Sequence, residues 1–113
     1  GGYINIDLGK TGKLILNENS IISANGGNGN NTEYVYASGA GSGGCINIKC
    51  DSIKSIVINH KTASISAIGG EGGKGRCYSG GDGGNGKIQI SLNQTGKFDD
   101  EILKQIIPTP IIS

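Results

Sequence analysis

The chain has no Met and no Trp, one Phe and two Pro among its 113 residues. With so little aromatic bulk the apolar content must come from elsewhere, and 19 of the residues are Ile. β-Branched side chains are stiff at χ1 and favour strands, so the core is expected to be aliphatic and strand-built. Long apolar runs are missing too: none exceeds five residues, far below the roughly 18 that a membrane-spanning helix needs. No charged-then-apolar leader opens the chain. An excess of charge of one sign is also absent. Ten basic and nine acidic residues give +1, and no Lys or Arg run could line a phosphate backbone, which excludes nucleic acid as the expected partner. The lack of Met, together with Gly at position 1, reads as a piece of a longer protein.

What the chain has in plenty is glycine, 22 residues. That is too much for a helix bundle, and the spacing is not the strict every-third pattern of collagen. Seventeen of the glycines fall within residues 26–44 and 69–86. The rest of the sequence repeats. Tyr3-Ile4-Asn5-Ile6-Asp7-Leu8 returns as Cys45-Ile46-Asn47-Ile48-Lys49-Cys50 and as Lys87-Ile88-Gln89-Ile90-Ser91-Leu92, each 42 positions later. Leu14-Ile15-Leu16 maps onto Ile56-Val57-Ile58 at 42, Ile22 to Gly27 onto Ile65 to Gly70 at 43, and Tyr36 onto Tyr78 at 42.

Period-2 alternation puts Ile4, Ile6 and Leu8 on one face and Tyr3, Asn5 and Asp7 on the other. Translation by one repeat stacks like on like, giving inward columns Ile4/Ile46/Ile88, Ile6/Ile48/Ile90 and Leu8/Cys50/Leu92. Such columns are what the parallel coils of a solenoid need, since each coil contacts only its neighbours. The expected fold is therefore all-β, a parallel β-solenoid with a repeat of 42 residues, each a three-sided coil plus a glycine-rich out-and-back arm. The repeats span residues 1–92, divided as 1–43, 44–85 and a partial 86–92. Without Cβ atoms the arm backbones can pack closely, either as β-turns or as polyglycine II-like strands. Residues 93–113 form a capping or linker segment, in which apolar spacing behind Asp99 and Asp100 predicts a short helix over 98–107, ended by Pro108. With little over two coils present, further coils or neighbouring subunits are expected to stack on the open edges.

The chemistry-bearing residues are few. Gly39 to Gly44, Gly70 to Gly75 and Gly81 to Gly86 fit G-x-G-x-x-G, but no strand-then-helix context follows, so no cofactor is expected. Gly26 to Asn31 and Gly80 to Asn85 resemble a calcium nonapeptide, yet Glu33 and Lys87 stand where it needs an apolar residue, and no metal is expected. Cys50 reads as a core residue. Cys45 and Cys77 are the pair left open for a disulfide, which sequence alone does not fix. His60 lies in a turn without a nucleophile beside it. The acidic residues make no repeat-aligned pair that could act across a sugar, so no catalytic residue is expected. Asn30 and Asn93 satisfy the N-glycosylation acceptor rule.

The I-x-I strands, the Ser-Ala-x-Gly-Gly exits after Ile22 and Ile65, and the Gly-Gly-x-Ile-x-Ile re-entry from Gly43 to Ile48 together resemble glycine-rich right-handed parallel β-helix repeats. These are segments found in large surface and adhesin-type proteins, including autotransporter-like adhesins, protist and giant-virus repeat proteins, and phage adhesins with polyglycine arms. The resemblance covers residues 1–92 and implies an extracellular, cell-surface or virion-surface location. It implies a non-enzymatic structural or adhesive module whose arms pack together or meet glycans or surface proteins. Tyr34, Tyr36, Arg76 and Tyr78 are the expected contact residues, because aromatic and Arg side chains dominate recognition. The alternatives are a carbohydrate-active β-helix domain and the assembly segment of a filament or fibre.

Overall fold

A computed structural model describes residues 1–17, 19–55, 63–93 and 105–113. Among the described residues there are nine strands and no helix: β1 (Tyr3–Asp7), β2 (Lys13–Leu16), β3 (Ile21–Ser23), β4 (Cys45–Cys50), β5 (Ser52–Ser55), β6 (Ser64–Ser66), β7 (Lys87–Leu92), β8 (Ile106–Ile107) and β9 (Ile111–Ile112). They form three sheets, ordered β1-β4-β7-β9, β2-β5 and β3-β6-β8. The β2-β5, β3-β6, β6-β8 and β7-β9 pairings are parallel. Around β4, the Cys45 amide donates to the Gly2 carbonyl at 2.9 Å, Leu8 to Lys49 at 2.7 Å and Lys87 to Gly44 at 3.1 Å. Their offsets of 43, 41 and 43 residues are those of a parallel ladder in a register of 42, where each amide bonds one residue to the side of its pair. The all-β, parallel-sheet expectation holds.

The chain divides into two compact units that interleave along the sequence instead of following one another. One comprises residues 4–23, 46–66 and 88–113 and carries most of the strand residues. Its core is aliphatic: Ile46, Ile48, Ile65 and Ile90 are wholly buried and Ile88 nearly so. Ile4 and Ile6 carry the same alternation but are only half-buried, because β1 has a sheet neighbour on one side only. Between the polar faces, Asn47 Nδ2 donates to Asn5 Oδ1 at 3.1 Å, a ladder of like residues one repeat apart.

Three expectations change here. Leu14 pairs with Ile53, not Ile56, so the offset between β2 and β5 is 39. Five residues join β1 to β2, including a turn in which Gly9 has φ +72°, whereas Asp51 alone joins β4 to β5. β5 thus follows β4 sooner than β2 follows β1; Ile56, Val57, Ile58 and His60 lie outside the described residues. The helix over 98–107 is not what its last residues form, and 98–104 lie outside the described residues. Ile106 and Ile107 are strand, paired with Ile65 and Ser66, because a sheet edge was waiting for them there. Ile111 and Ile112 likewise extend the first sheet, against Gln89 and Ile90. Finally, in the column Leu8/Cys50/Leu92 only Cys50 is buried; Leu8 is 37% exposed.

The other unit comprises residues 1–3, 24–45 and 67–87, and is built from the two arms. Each arm runs out and back, and its hydrogen bonds recur every third residue. Gly26 donates to Ile68 O (2.8 Å), Gly29 to Glu71 O (2.7 Å) and Thr32 to Lys74 O (3.0 Å). The return segments pair likewise: Ala37 to Tyr78 O, Ala40 to Gly81 O and Gly43 to Gly84 O. Gly80, Gly83 and Gly86 donate within the second arm to Gly73, Gly70 and Ala67, while Gly70 and Gly73 donate to Gly41 and Ser38 of the first. A bond at every third residue is the period of a three-residue-per-turn extended helix, not of a pleated strand. Of the two arm conformations open at the sequence level, the polyglycine II-like one is adopted.

Three residues per turn sends successive N–H groups out in three directions, so a segment inside the bundle needs an acceptor on each side. Gly70 and Gly73 find backbone oxygens. Ile68, Glu71 and Lys74 donate instead to the side-chain oxygens of Asn25, Asn28 and Asn31, at 2.8, 2.9 and 2.8 Å. Gly69 and Gly72 donate to Asn85 Oδ1 (3.0 Å) and Asp82 Oδ1 (2.7 Å). Seven consecutive amides, 68 to 74, are thereby satisfied. Asn28→Ala leaves the Glu71 amide without its acceptor and is expected to cost about 1 kcal/mol, while Asn28→Asp keeps an acceptor oxygen and most of the stability. Urea unfolding of the two variants beside the parent chain checks this.

Candidate functional site

The four expected contact residues lie where the arms reverse direction. The Arg76 amide donates to Tyr34 O at 2.8 Å and the Tyr78 amide to Val35 O at 3.0 Å, which ties the two turns together. Tyr34 N is held by Thr32 Oγ1 at 3.1 Å. Tyr36 and Tyr78 form an isolated parallel bridge. Their rings stack with centroids 5.2 Å apart and planes 13° from parallel. An offset aromatic pair of this kind adds about 0.5–1.5 kcal/mol to its area burial. The rings are nonetheless well exposed: Tyr34 is 82% accessible, Tyr36 72% and Tyr78 59%. Val35 is exposed beside them, as are Arg76 and Cys77. The turn therefore presents aromatic surface, phenolic hydroxyls and a guanidinium on a backbone pinned by hydrogen bonds.

Along the arms runs a shallow polar groove of about 260 Å³, lined by Asn28, Gly29, Asn31, Glu71, Gly72 and Lys74. Its Asn side chains are oriented by the backbone: their oxygens accept from residues 71 and 74, which leaves the amide NH2 groups as the free donors. In the strand unit a second cavity of about 330 Å³ is lined by residues that include Asp7, Lys10, Lys49, Cys50 and Asn93.

The three cysteines are free thiols. The Cys45–Cys77 bridge left open by the sequence is not formed, because the two sit at opposite ends of an arm. Cys45 bonds to Gly2 and shares its ladder with Lys87, whereas Cys77 bonds to Val35 in the turn. The return segment between Cys77 and Lys87 spans on the order of 30 Å at three-residue-per-turn rise, against a Cα separation below about 7 Å for a disulfide. Cys50 is buried, as expected for a core residue. Burial, with a smaller push from neighbouring Asp51, raises its thiol above the usual range and keeps it protonated. Asp51 is itself buried, and its amide donates to Gly12 O at 2.8 Å.

Of the two N-glycosylation acceptors, Asn30 is exposed and donates its amide to Ser38 Oγ at 2.7 Å. Asn93 is also exposed, and its Nδ2 donates to Lys10 O at 3.1 Å; Thr95, which completes its acceptor pattern, lies outside the described residues. Among the described residues no cluster of three His, Cys, Asp or Glu side chains could hold a metal ion. No described helix is long and apolar enough to cross a membrane.

The residues that sequence reasoning passed over are the ladder-forming ones. Asn25, Asn28 and Asn31, and then Asp82 and Asn85, stand at spacings of three, and that period was the available signal for a three-residue-per-turn helix.

Fold and site together define an all-β protein of parallel sheets with a hydrogen-bonded polyglycine bundle that ends in exposed tyrosines. Compared with protein families, curated proteins and solved structures, the chain matches none of them.

Proposed function

We propose that this chain is a segment of a parallel β-solenoid in a larger extracellular, cell-surface or virion-surface protein, where it serves as a non-enzymatic structural and adhesive module. The observation that carries the adhesive part is the exposed Tyr36–Tyr78 stack, flanked by exposed Tyr34 and Arg76. The stack steadies the turn, yet most of the surface of Tyr34, Tyr36 and Tyr78 stays in water, and aromatic and Arg anchors dominate recognition surfaces. The solenoid part is supported by parallel ladders with partners about 42 residues apart and by columns of buried Ile. Further coils or neighbouring subunits stack on the open edges, and glycans or surface proteins meet the arm turn.

Binding to a panel of immobilised oligosaccharides and purified cell-surface proteins tests this reading. The parent chain should bind at least one, and Tyr36→Ala/Tyr78→Ala should weaken that binding at least about tenfold, as expected on losing an aromatic hot spot. Equal binding by parent and variant, or none by the parent, would overturn the adhesive role.

A further inference from the structure

Building on that stacked-coil reading, we propose that the glycine arms stack in one direction only. The face of residues 24–44 turned away from the second arm is a docking surface for one more glycine-rich layer of polypeptide, an out-and-back segment with Asn at every third residue. The far face of residues 67–86 is closed by Asp82 and Asn85 and takes no such layer.

The contact between the two arms defines the grammar. The first arm donates from Gly26, Gly29 and Thr32 and from Ala37, Ala40 and Gly43, and its Asn25, Asn28 and Asn31 oxygens accept from the second. Moved back by one layer, the same pattern calls for acceptors at the carbonyls of 25, 28, 31, 36, 39 and 42, and for donors at the amides of Asn25, Asn28 and Asn31 and of Gly27, the counterpart of Gly70; the Asn30 amide, the counterpart of Gly73, donates instead to Ser38 Oγ of its own arm. One of these sites is already filled. The Gly1 amine donates to Ser42 O at 2.7 Å, with the same 41-residue offset as Gly43 to Gly84. Gly2 accepts from Cys45 as Gly44 accepts from Lys87. A Cβ on Gly44 would strike the Gly2 carbonyl, as one on Gly86 would strike that of Gly44. Residues 1 and 2 therefore lie on the first arm as residues 43 and 44 lie on the second; a Cβ on Gly1 would strike the Gly44 amide, as one on Gly43 would strike that of Gly86, whereas one on Gly2 meets nothing within 4 Å. The amides of Asn25, Asn28 and Asn31 have no partner among the described residues.

The second arm ends the series. Gly69 and Gly72 correspond to Gly26 and Gly29, which feed the next layer, but their amides are taken by Asn85 and Asp82 of their own arm. Where these two acceptors stand, the first arm has Gly43 and Ala40, which lack a side-chain oxygen. In place of the Asn25, Asn28, Asn31 ladder the second arm has Ile68, Glu71 and Lys74. The chain then builds no third arm: Pro108, Thr109 and Pro110 alone join β8 to β9, where residues 24–44 and 67–86 join the earlier pairs.

Amide hydrogen exchange by NMR on two full-length chains tests both halves. In Asp82→Ala/Asn85→Gly, exchange at Gly69 and Gly72 should quicken at least about tenfold while Gly70 and Gly73 stay slow. Asp82→Asn, which keeps an oxygen acceptor, should retain slow exchange at Gly72. Unchanged rates at Gly69 and Gly72 in the double variant, or fast exchange at Gly72 in Asp82→Asn, overturn the closure. In a chain with residues 1–42 repeated ahead of Gly1, the original Asn25, Asn28 and Asn31 amides should slow at least about tenfold, the tether holding the new layer at high effective concentration. Unchanged exchange at these three, or lost protection at Gly70 and Gly73, overturns the docking face. These amides lie away from the tyrosine turn, so failure of the binding assay and failure of this proposal are separate results.

Discussion

Gly83→Ala is expected to unfold the polyglycine bundle, while Gly84→Ala one residue later leaves it intact. A Cβ at Gly83 would run into the carbonyl of Gly41, a backbone atom that cannot rotate away. Gly72→Ala behaves the same way against Gly80, whereas a Cβ at Gly84 or Gly81 meets nothing within 4 Å. Overpacking on backbone sits at the upper end of such penalties, about 3 kcal/mol or more. In a chain of this size that corresponds to roughly 10 °C or more in thermal midpoint. Gly84→Ala should be neutral, or stabilising by a few tenths of a kcal/mol, because Ala restricts the unfolded chain. Thermal unfolding followed by circular dichroism separates the two. Equal midpoints for Gly83→Ala and Gly84→Ala would remove the case for close backbone packing, since a disordered glycine-rich segment would accept either.

The second large effect belongs to the strand unit. Ile48→Ala should cost about 3–4 kcal/mol, from lost transfer free energy plus the cavity left in a column with Ile on either side. Ile48 is fully buried, and so is Ile90, its counterpart in β7. The matching change in β1, Ile6→Ala, should cost about half as much, because that side chain is only half-buried at the sheet edge. Denaturant midpoints for the pair test whether β1 is an edge: similar losses at Ile6 and Ile48 would mean that something covers β1. In the proposed layer-repeat chain, where a further coil does cover it, the cost of Ile6→Ala should rise toward that of Ile48→Ala.

Much of this architecture was legible in the residues. Alternation along Tyr3 to Leu8, returning at Cys45 and Lys87, places strands and core together, since a period of two and a repeat of 42 admit one stacking. The bridge between Tyr36 and Tyr78 was legible for the same reason. Other features were not. The shift of β5 to Ser52 depends on how few residues turn the corner at Asp51, and apolar pattern does not report turn length. Ile106 and Ile107 have neighbours at helical spacing, yet they pair with β6, because an unpaired sheet edge outweighs a weak local propensity. The candidate site divides in the same way. Tyr34, Tyr36, Arg76 and Tyr78 could be named from residue type, but their convergence came from hydrogen bonds across two arms.

By itself, then, the sequence determined the strand-building residues, the repeat that stacks them and the stretches free of Cβ, because these depend on local sterics and on spacing along the chain. Only the tertiary structure decided that the glycines wind three to a turn, that Asn25, Asn28, Asn31, Asp82 and Asn85 serve as acceptors, and that Cys45 and Cys77 lie apart. Each of those rests on which backbone amide faces which neighbour. Glycine, with no side chain to restrict φ and ψ, leaves that choice to the segments packed around it.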